Sequence, residues 1–188
     1  NIRHTYVLPV AGNHFTNDVA VGLRTSIKEA ERIKKEYGLA HLGLLDSDEY
    51  ITYDSVYGGQ SQTVLQSEIV GILAPRAQEL LTLVHDEIVS RKLTHFMPSG
   101  LVLTGGGSLL QGMKELAEEI FNMPVRIGRV RMENDIHIPQ MLESPIYATG
   151  YGLLRYVLDQ RAHTMESISG PALNKIFMRM KSWVTDFF

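Results

Sequence analysis

LVLTGGGSLLQG, residues 101–112, is the stretch from which the rest of the chain is read. Leu101, Val102 and Leu103 are three consecutive apolar residues, the mark of a short buried strand. Thr104 ends the run, and Gly105, Gly106 and Gly107 follow with no side chain to keep another group off the backbone. Ser108 is a suitable N-cap for a helix carrying Met113, Leu116, Ala117, Ile120 and Phe121 on one face. Strand, glycines and helix start together form a place where a flat ligand or a phosphate can lie against bare backbone. Glycine-rich turns of this kind also serve simply to pack a strand against a helix, so these residues alone leave both roles open.

Working upstream, Arg3–Val10 alternates with Tyr6, Leu8 and Val10 on one face, predicting a strand that Pro9 places near a sheet edge. Ala11-Gly12-Asn13 then makes a tight turn into a helix through Val19, Ala20 and Leu23. Ser26-Ile27-Lys28-Glu29 has capping-box spacing and opens a second helix, ending at Tyr37 with Gly38 as its stop. Ile27, Ala30, Ile33 and Tyr37 form its buried stripe. Glu31, Lys34 and Lys35 fall at i, i+3 and i+4 on an adjacent face, where they make either a solvated ion pair or a ligand-facing group. From Leu42 to Val64 the pattern shifts to short β-like pieces, Leu42–Leu45, Tyr50–Tyr53 and one around Val56. Asp46-Ser47-Asp48 and Gly58-Gly59 interrupt them, as in a small β-rich subdomain. A long helix through Ile69, Ile72, Leu73, Leu80, Leu81, Val84 and Ile88 follows, kinked or restarted at Pro75.

Downstream of the glycines, Pro124–Ile127 predicts another strand and Asp135–Met141 a polar, irregular stretch. Ser144-Pro145 starts a helix with the small residues Ala148, Gly150 and Gly152. Alternating strands and helices predict an α/β fold with mixed strand directions. Residues 160–172 lack apolar periodicity and are expected to be a flexible linker. Residues 173–188 are strongly amphipathic. At about 100° per residue, Ile176, Phe177, Met180, Trp183, Val184 and Phe187 share one face with Leu173 and Phe188. Lys175 and Arg179 lie opposite, with Lys181 at the boundary. A basic polar face opposed to bulky aromatics predicts an interfacial membrane helix; a helix docked on the body is the plainer alternative.

The totals narrow the functional classes. With 188 residues, 44% hydrophobic and 21% charged, the chain has the composition of a soluble globular protein with a real core. It has no cysteine, which excludes disulfides and thiolate metal sites. Net charge is −3, yet residues 173–188 carry three cations against one anion, leaving −5 on the remainder. That distribution argues against nucleic-acid binding and for an anionic partner at the basic tail only. The seven histidines form no close-spaced pair, and there is no Walker lysine motif or nucleophile elbow. No catalytic residue and no metal ligand is assigned.

Taken together, PVAGNHFTNDVAVGLRT, EAERIKKEYG, GLVLTGGGSLLQGM, YATGYGLLRY and IFMRMKSWVTDFF resemble the FtsA family of bacterial cell-division proteins. That family lies within the actin/Hsp70/sugar-kinase superfamily. The resemblance covers nearly the whole chain and implies the C-terminal half of an actin-like ATPase fold. Residues 1–40 and 95–159 would form part of a ribonuclease-H-like subdomain, 41–94 an inserted small subdomain, and 173–188 the membrane-targeting helix. The chain opens at Asn1 without Met and is expected to be part of a longer protein. The superfamily's two phosphate loops, and the Mg²⁺ ligands, would lie upstream.

Carried over residue by residue, Gly105, Gly106, Gly107 and Ser108 would pack on the adenosine and α-phosphate side of ATP. Glu31 would accept hydrogen bonds from ribose hydroxyls, with Lys34 alongside, and Gly12 and Asn13 would border the phosphates. The resemblance implies weak or no ATP turnover. It also implies filaments of this chain, contacts with other divisome proteins, and capture of the acidic C-terminal peptide of FtsZ near Arg76. The tail would hold the assembly on anionic lipid at the cytoplasmic face of the inner membrane, at the division site. The rival readings are an actin-like small-molecule kinase and a pilus-assembly actin homologue, each with a merely docked C-terminal helix.

Overall fold

The computed structural model describes residues 2–56, 61–131 and 140–168. Its elements are α1 (Gly12–Gly22), α2 (Ile27–Tyr37), β1 (Tyr50–Asp54), β2 (Ser61–Leu65), α3 (Gln66–Ser90), β3 (Leu101–Leu103), α4 (Met113–Phe121), β4 (Val125–Ile127) and α5 (Ala148–Ile168). Helices α1 and α2 form an antiparallel pair joined by a sharp turn. Ser26 caps α2, its side-chain oxygen accepting the Glu29 amide at 3.2 Å, which satisfies one of the free donors of the first turn. Gly38 ends α2 as expected.

β1 and β2 form an antiparallel hairpin whose Ile51, Tyr53 and Val64 point inward. Alternation of one buried and one exposed residue is what a sheet with one wet face requires. The inner face packs into the same core as Phe15 and Val19 of α1, Ile33 of α2, and Ile69, Leu73, Ala77 and Leu81 of α3. The last four, spaced four apart, make one stripe down α3. Burying each leucine there contributes about 2 kcal/mol. Met113, Leu116 and Phe121 of α4 complete the core.

The second sheet pairs β3 with β4 in parallel, Leu101 opposite Val125 and Leu103 opposite Ile127. Gly100 makes this approach possible. At φ +82° a Cβ there would lie 2.1 Å from the Pro124 carbonyl oxygen, the atom that accepts the Leu101 amide at 2.9 Å. Strand directions are therefore mixed, but between two separate two-stranded sheets.

Several expectations change. Arg3–Val10 is not in a strand; among the described residues no neighbouring strand offers it a ladder. It is held instead by His4 Nε2 at 3.1 Å from Glu87 and by the Arg3 guanidinium 4.2 Å above the Phe96 ring. Leu42–Leu44 is a 3₁₀ turn, capped by His41 Nδ1 accepting the Gly43 amide at 2.9 Å. The piece around Val56 is reduced to one bridge, Thr25 with Ser55. Helix α3 runs unbroken through Pro75; the proline removes a single hydrogen bond, to the Gly71 carbonyl, within a stripe of buried contacts. Helix α4 starts at Met113 and not after Ser108, because Gly106–Leu109 closes into a 3₁₀ turn first. Helix α5 continues to Ile168, so residues 160–168 are helical. Ser144 does open this region, capping the Pro145–Tyr147 turn that leads into α5. The stretch 132–139 and the segment 169–188 lie outside the described residues.

Candidate functional site

The C-terminal end of β3 and the first turn of α1 face each other across a cleft of about 880 Å³. One wall is the glycine loop. Gly105 sits at φ +85°, a conformation that side chains other than glycine's resist. Its amide donates to the Pro145 carbonyl at 3.2 Å, fastening the loop to the turn before α5. The Ser108 hydroxyl donates to the Gly105 carbonyl at 2.7 Å, so this buried side chain braces the loop from behind. A Cβ on Gly107 would meet nothing within 4 Å, and one on Gly106 only Ile146 Cγ1 at 3.8 Å. Among the described residues, then, these two glycines make room for no neighbouring group. What their lack of side chains does is leave bare backbone on the cleft.

The other wall comes from α1 and α2. Glu31 Oε2 accepts from Thr16 Oγ1 at 2.5 Å and from Lys34 Nζ at 2.5 Å. Lys34 Nζ also donates to Thr16 Oγ1 at 2.8 Å and to the Gly12 carbonyl at 3.3 Å. Lys35 reaches Glu31 Oε1 at 3.1 Å from a largely exposed position. Partial burial opposes ionisation of Glu31. The hydrogen bonds from Lys34, Thr16 and Lys35, together with the Lys34 charge, overcome it and hold the carboxyl at about 2, below its ordinary 4.5. The cleft thus presents an ionised acceptor on one side and unhindered backbone on the other.

All eight residues predicted for a ligand line this one cleft: Gly12, Asn13, Glu31, Lys34, Gly105, Gly106, Gly107 and Ser108. They come from three segments separated by up to ninety residues of chain, roughly. Gly12 and Asn13 are the first turn of α1 and not a turn preceding it. Sequence reasoning missed Thr16, which lies behind the cleft at 3% exposure and touches Gly12, Glu31 and Lys34. It also missed Ile146, which lines the cleft beside Gly106.

Arg76 is not in the cleft. Its guanidinium is engaged by Asp18 of α1, with Nε at 2.5 Å and Nη2 at 3.2 Å, and by Glu79 at 2.5 Å. It ties α3 to α1. The tail residues Lys175, Ile176, Phe177, Arg179, Met180, Lys181, Trp183, Val184 and Phe187 lie outside the described residues. No described helix is long and apolar enough to cross a membrane.

Comparison with known proteins bears on both fold and family. Two crystal structures of MreB5 from Spiroplasma citri share the fold. The one bound to ADP superposes with a TM-score of 0.53 at 24% identity over 64% of this chain and 40% of that one. The one bound to AMPPNP gives 0.58 at 20% identity over 84% and 47%. The fold is therefore part of an actin-like ATPase fold. In sequence, the chain is 39% identical to cell division protein FtsA of Pseudomonas aeruginosa and 30% identical to that of Escherichia coli K12, covering all of this chain and 46% of each relative. It is 35% identical to that of Bacillus subtilis over 83% of this chain and 34% of the relative. The chain spans less than half the length of these curated relatives. The family profile described as cell division protein FtsA matches residues 1–152. With that match over most of its length, on an actin-like frame, the chain belongs to the FtsA family of cell division proteins.

Proposed function

We propose that this chain is the nucleotide-binding and membrane-targeting half of an actin-like adaptor that ties FtsZ filaments to the cytoplasmic membrane during division. One observation carries the nucleotide part: the eight residues that the family resemblance assigns to a nucleotide line a single cleft between bare glycine backbone and an ionised carboxylate. ATP fits that pairing. The glycines allow a flat base and ribose to approach closely, and Glu31 is an acceptor matched to sugar hydroxyls. The Mg²⁺ that accompanies ATP takes its ligands, in this reading, from segments upstream of these residues. Binding and not turnover is the role assigned to this half, with the nucleotide favouring filaments of the protein itself.

The membrane and partner roles rest on the sequence pattern and on family membership. The basic amphipathic segment 173–188 supplies a reversible anchor for anionic lipid at the inner face of the membrane. The inserted small subdomain, residues 41–94, including the β1–β2 hairpin and the start of α3, is the surface we assign to the acidic FtsZ C-terminal peptide, other divisome proteins sharing the remaining surface. An actin-like kinase would gain nothing from such a tail.

Gly106→Val tests the nucleotide reading in the full-length protein. A branched side chain on the open loop would occupy the space of the base, and binding of a fluorescent ATP analogue should be abolished. Unchanged affinity in a variant still folded by circular dichroism would remove the glycine loop from the site.

A further inference from the structure

Thr16 is a buried hydroxyl at the centre of the charged wall of the cleft. A hydroxyl has one proton to give. The Glu31 carboxylate at 2.5 Å is a better acceptor for it than the Gly12 carbonyl at 3.3 Å. Its lone pair takes a proton from Lys34 at 2.8 Å. Lys34, only 15% exposed, then has all three ammonium protons committed, to Thr16, to Glu31 Oε2 and to the Gly12 carbonyl. Lys34 therefore has none left for a ligand. Glu31 Oε2 is likewise occupied twice. The oxygen left to a ligand is Oε1, contacted only by Lys35, a side chain 68% exposed and free to swing aside.

We propose that Thr16 is a positioning residue of the candidate nucleotide site, locking Glu31 Oε2 to Lys34 so that Oε1 is held as the acceptor that selects ribose hydroxyls. This rests on the nucleotide reading above and assigns the sugar selectivity of that site to a residue that touches no ligand. Lys34 serves as a buttress here and not as a phosphate contact. The lock also explains why two flexible side chains hold one geometry. Thr16 is fixed at both backbone and hydroxyl, so the carboxylate loses little freedom when a ligand arrives.

The test titrates three nucleotides, ATP, 2′-deoxy-ATP and 3′-deoxy-ATP, into three full-length proteins, wild type, Thr16→Val and Thr16→Ser. Wild type should prefer ATP over at least one deoxy analogue by about tenfold or more, the scale of a hydrogen bond to a charged acceptor. Thr16→Val keeps the buried shape but removes the lock; that preference should fall to about threefold or less, while affinity for the deoxy analogue barely changes. Thr16→Ser restores the hydroxyl and should restore the preference. Should Thr16→Val misfold, Thr16→Ala removes the same hydroxyl without a branch. A preference as large in the hydroxyl-free variant as in wild type overturns the role of Thr16 and leaves the nucleotide reading standing. Wild type that binds ATP and both deoxy analogues alike overturns the placement of Glu31 on the sugar. Wild type that binds no ATP at all overturns the nucleotide reading and this proposal with it.

Discussion

Glu31 titrates with the fold. Its carboxyl is held at about 2 in the native protein against an ordinary 4.5. A depressed native value stabilises fully above the unfolded value, and the contribution disappears as pH falls through the native one. The stability gap between wild type and Glu31→Gln should therefore be constant above about pH 5 and shrink progressively toward about pH 3. Urea unfolding midpoints across that range check it, and a gap that widens with acid would contradict the ion-pair geometry. The residues of the cleft were legible to different degrees. Gly105–Gly107 and the Glu31–Lys34 spacing stand out in the sequence as unhindered backbone and an i, i+3 charge pair, but each also has a purely structural use. Thr16 does not stand out. It is one polar residue among several in α1, and its acceptor is fifteen residues away, a relation that only packing α1 on α2 creates. The spacing of Glu31 leaves a solvated pair and a ligand site both open; the family resemblance points it to the sugar, and the fold sets it across from the glycines.

At the scale of elements, α1 touches both proposed sites. Its first turn borders the cleft, while Asp18, past its midpoint, holds Arg76 of α3. If Arg76 meets the FtsZ peptide, it does so by exchanging Glu79, the more exposed of its two partners. Arg76→Glu should weaken binding of an FtsZ C-terminal peptide by about tenfold and make the remainder less sensitive to salt. Asp18→Asn, which loosens the clamp but keeps the cation, should bind nearly as well as wild type. A peptide titration giving equal affinity for wild type and Arg76→Glu would take Arg76 out of that surface. Helices and turns were the legible elements, since the Ser26 cap, the Gly38 stop and the α3 stripe are local signals. Strands were less so. Residues 3–10 alternate correctly, but a strand exists only where another chain segment pairs with it. Pro75 misled for the opposite reason, because a missing local hydrogen bond is outweighed by the buried stripe on either side of it.

The whole molecule joins three properties in the proposed adaptor: an actin-like frame, a cleft suited to nucleotide, and a basic amphipathic tail. The first followed from the family resemblance and is matched by the MreB5 structures. The tail rests on its amphipathic periodicity and on the same resemblance. Phe177 and Trp183 could each contribute on the order of 2 kcal/mol on partitioning into lipid, and Lys175, Arg179 and Lys181 about 1 kcal/mol each on an anionic surface. One copy should bind weakly and reversibly; copies joined along a filament should bind much more firmly. The adaptor role is tested most directly by sedimenting FtsZ filaments with anionic liposomes in the presence of the full-length protein and ATP. FtsZ should enter the pellet with the lipid when wild-type protein is present and remain in the supernatant with Trp183→Glu. FtsZ that stays in the supernatant with wild type at low salt, or that sediments equally with Trp183→Glu, would contradict the account.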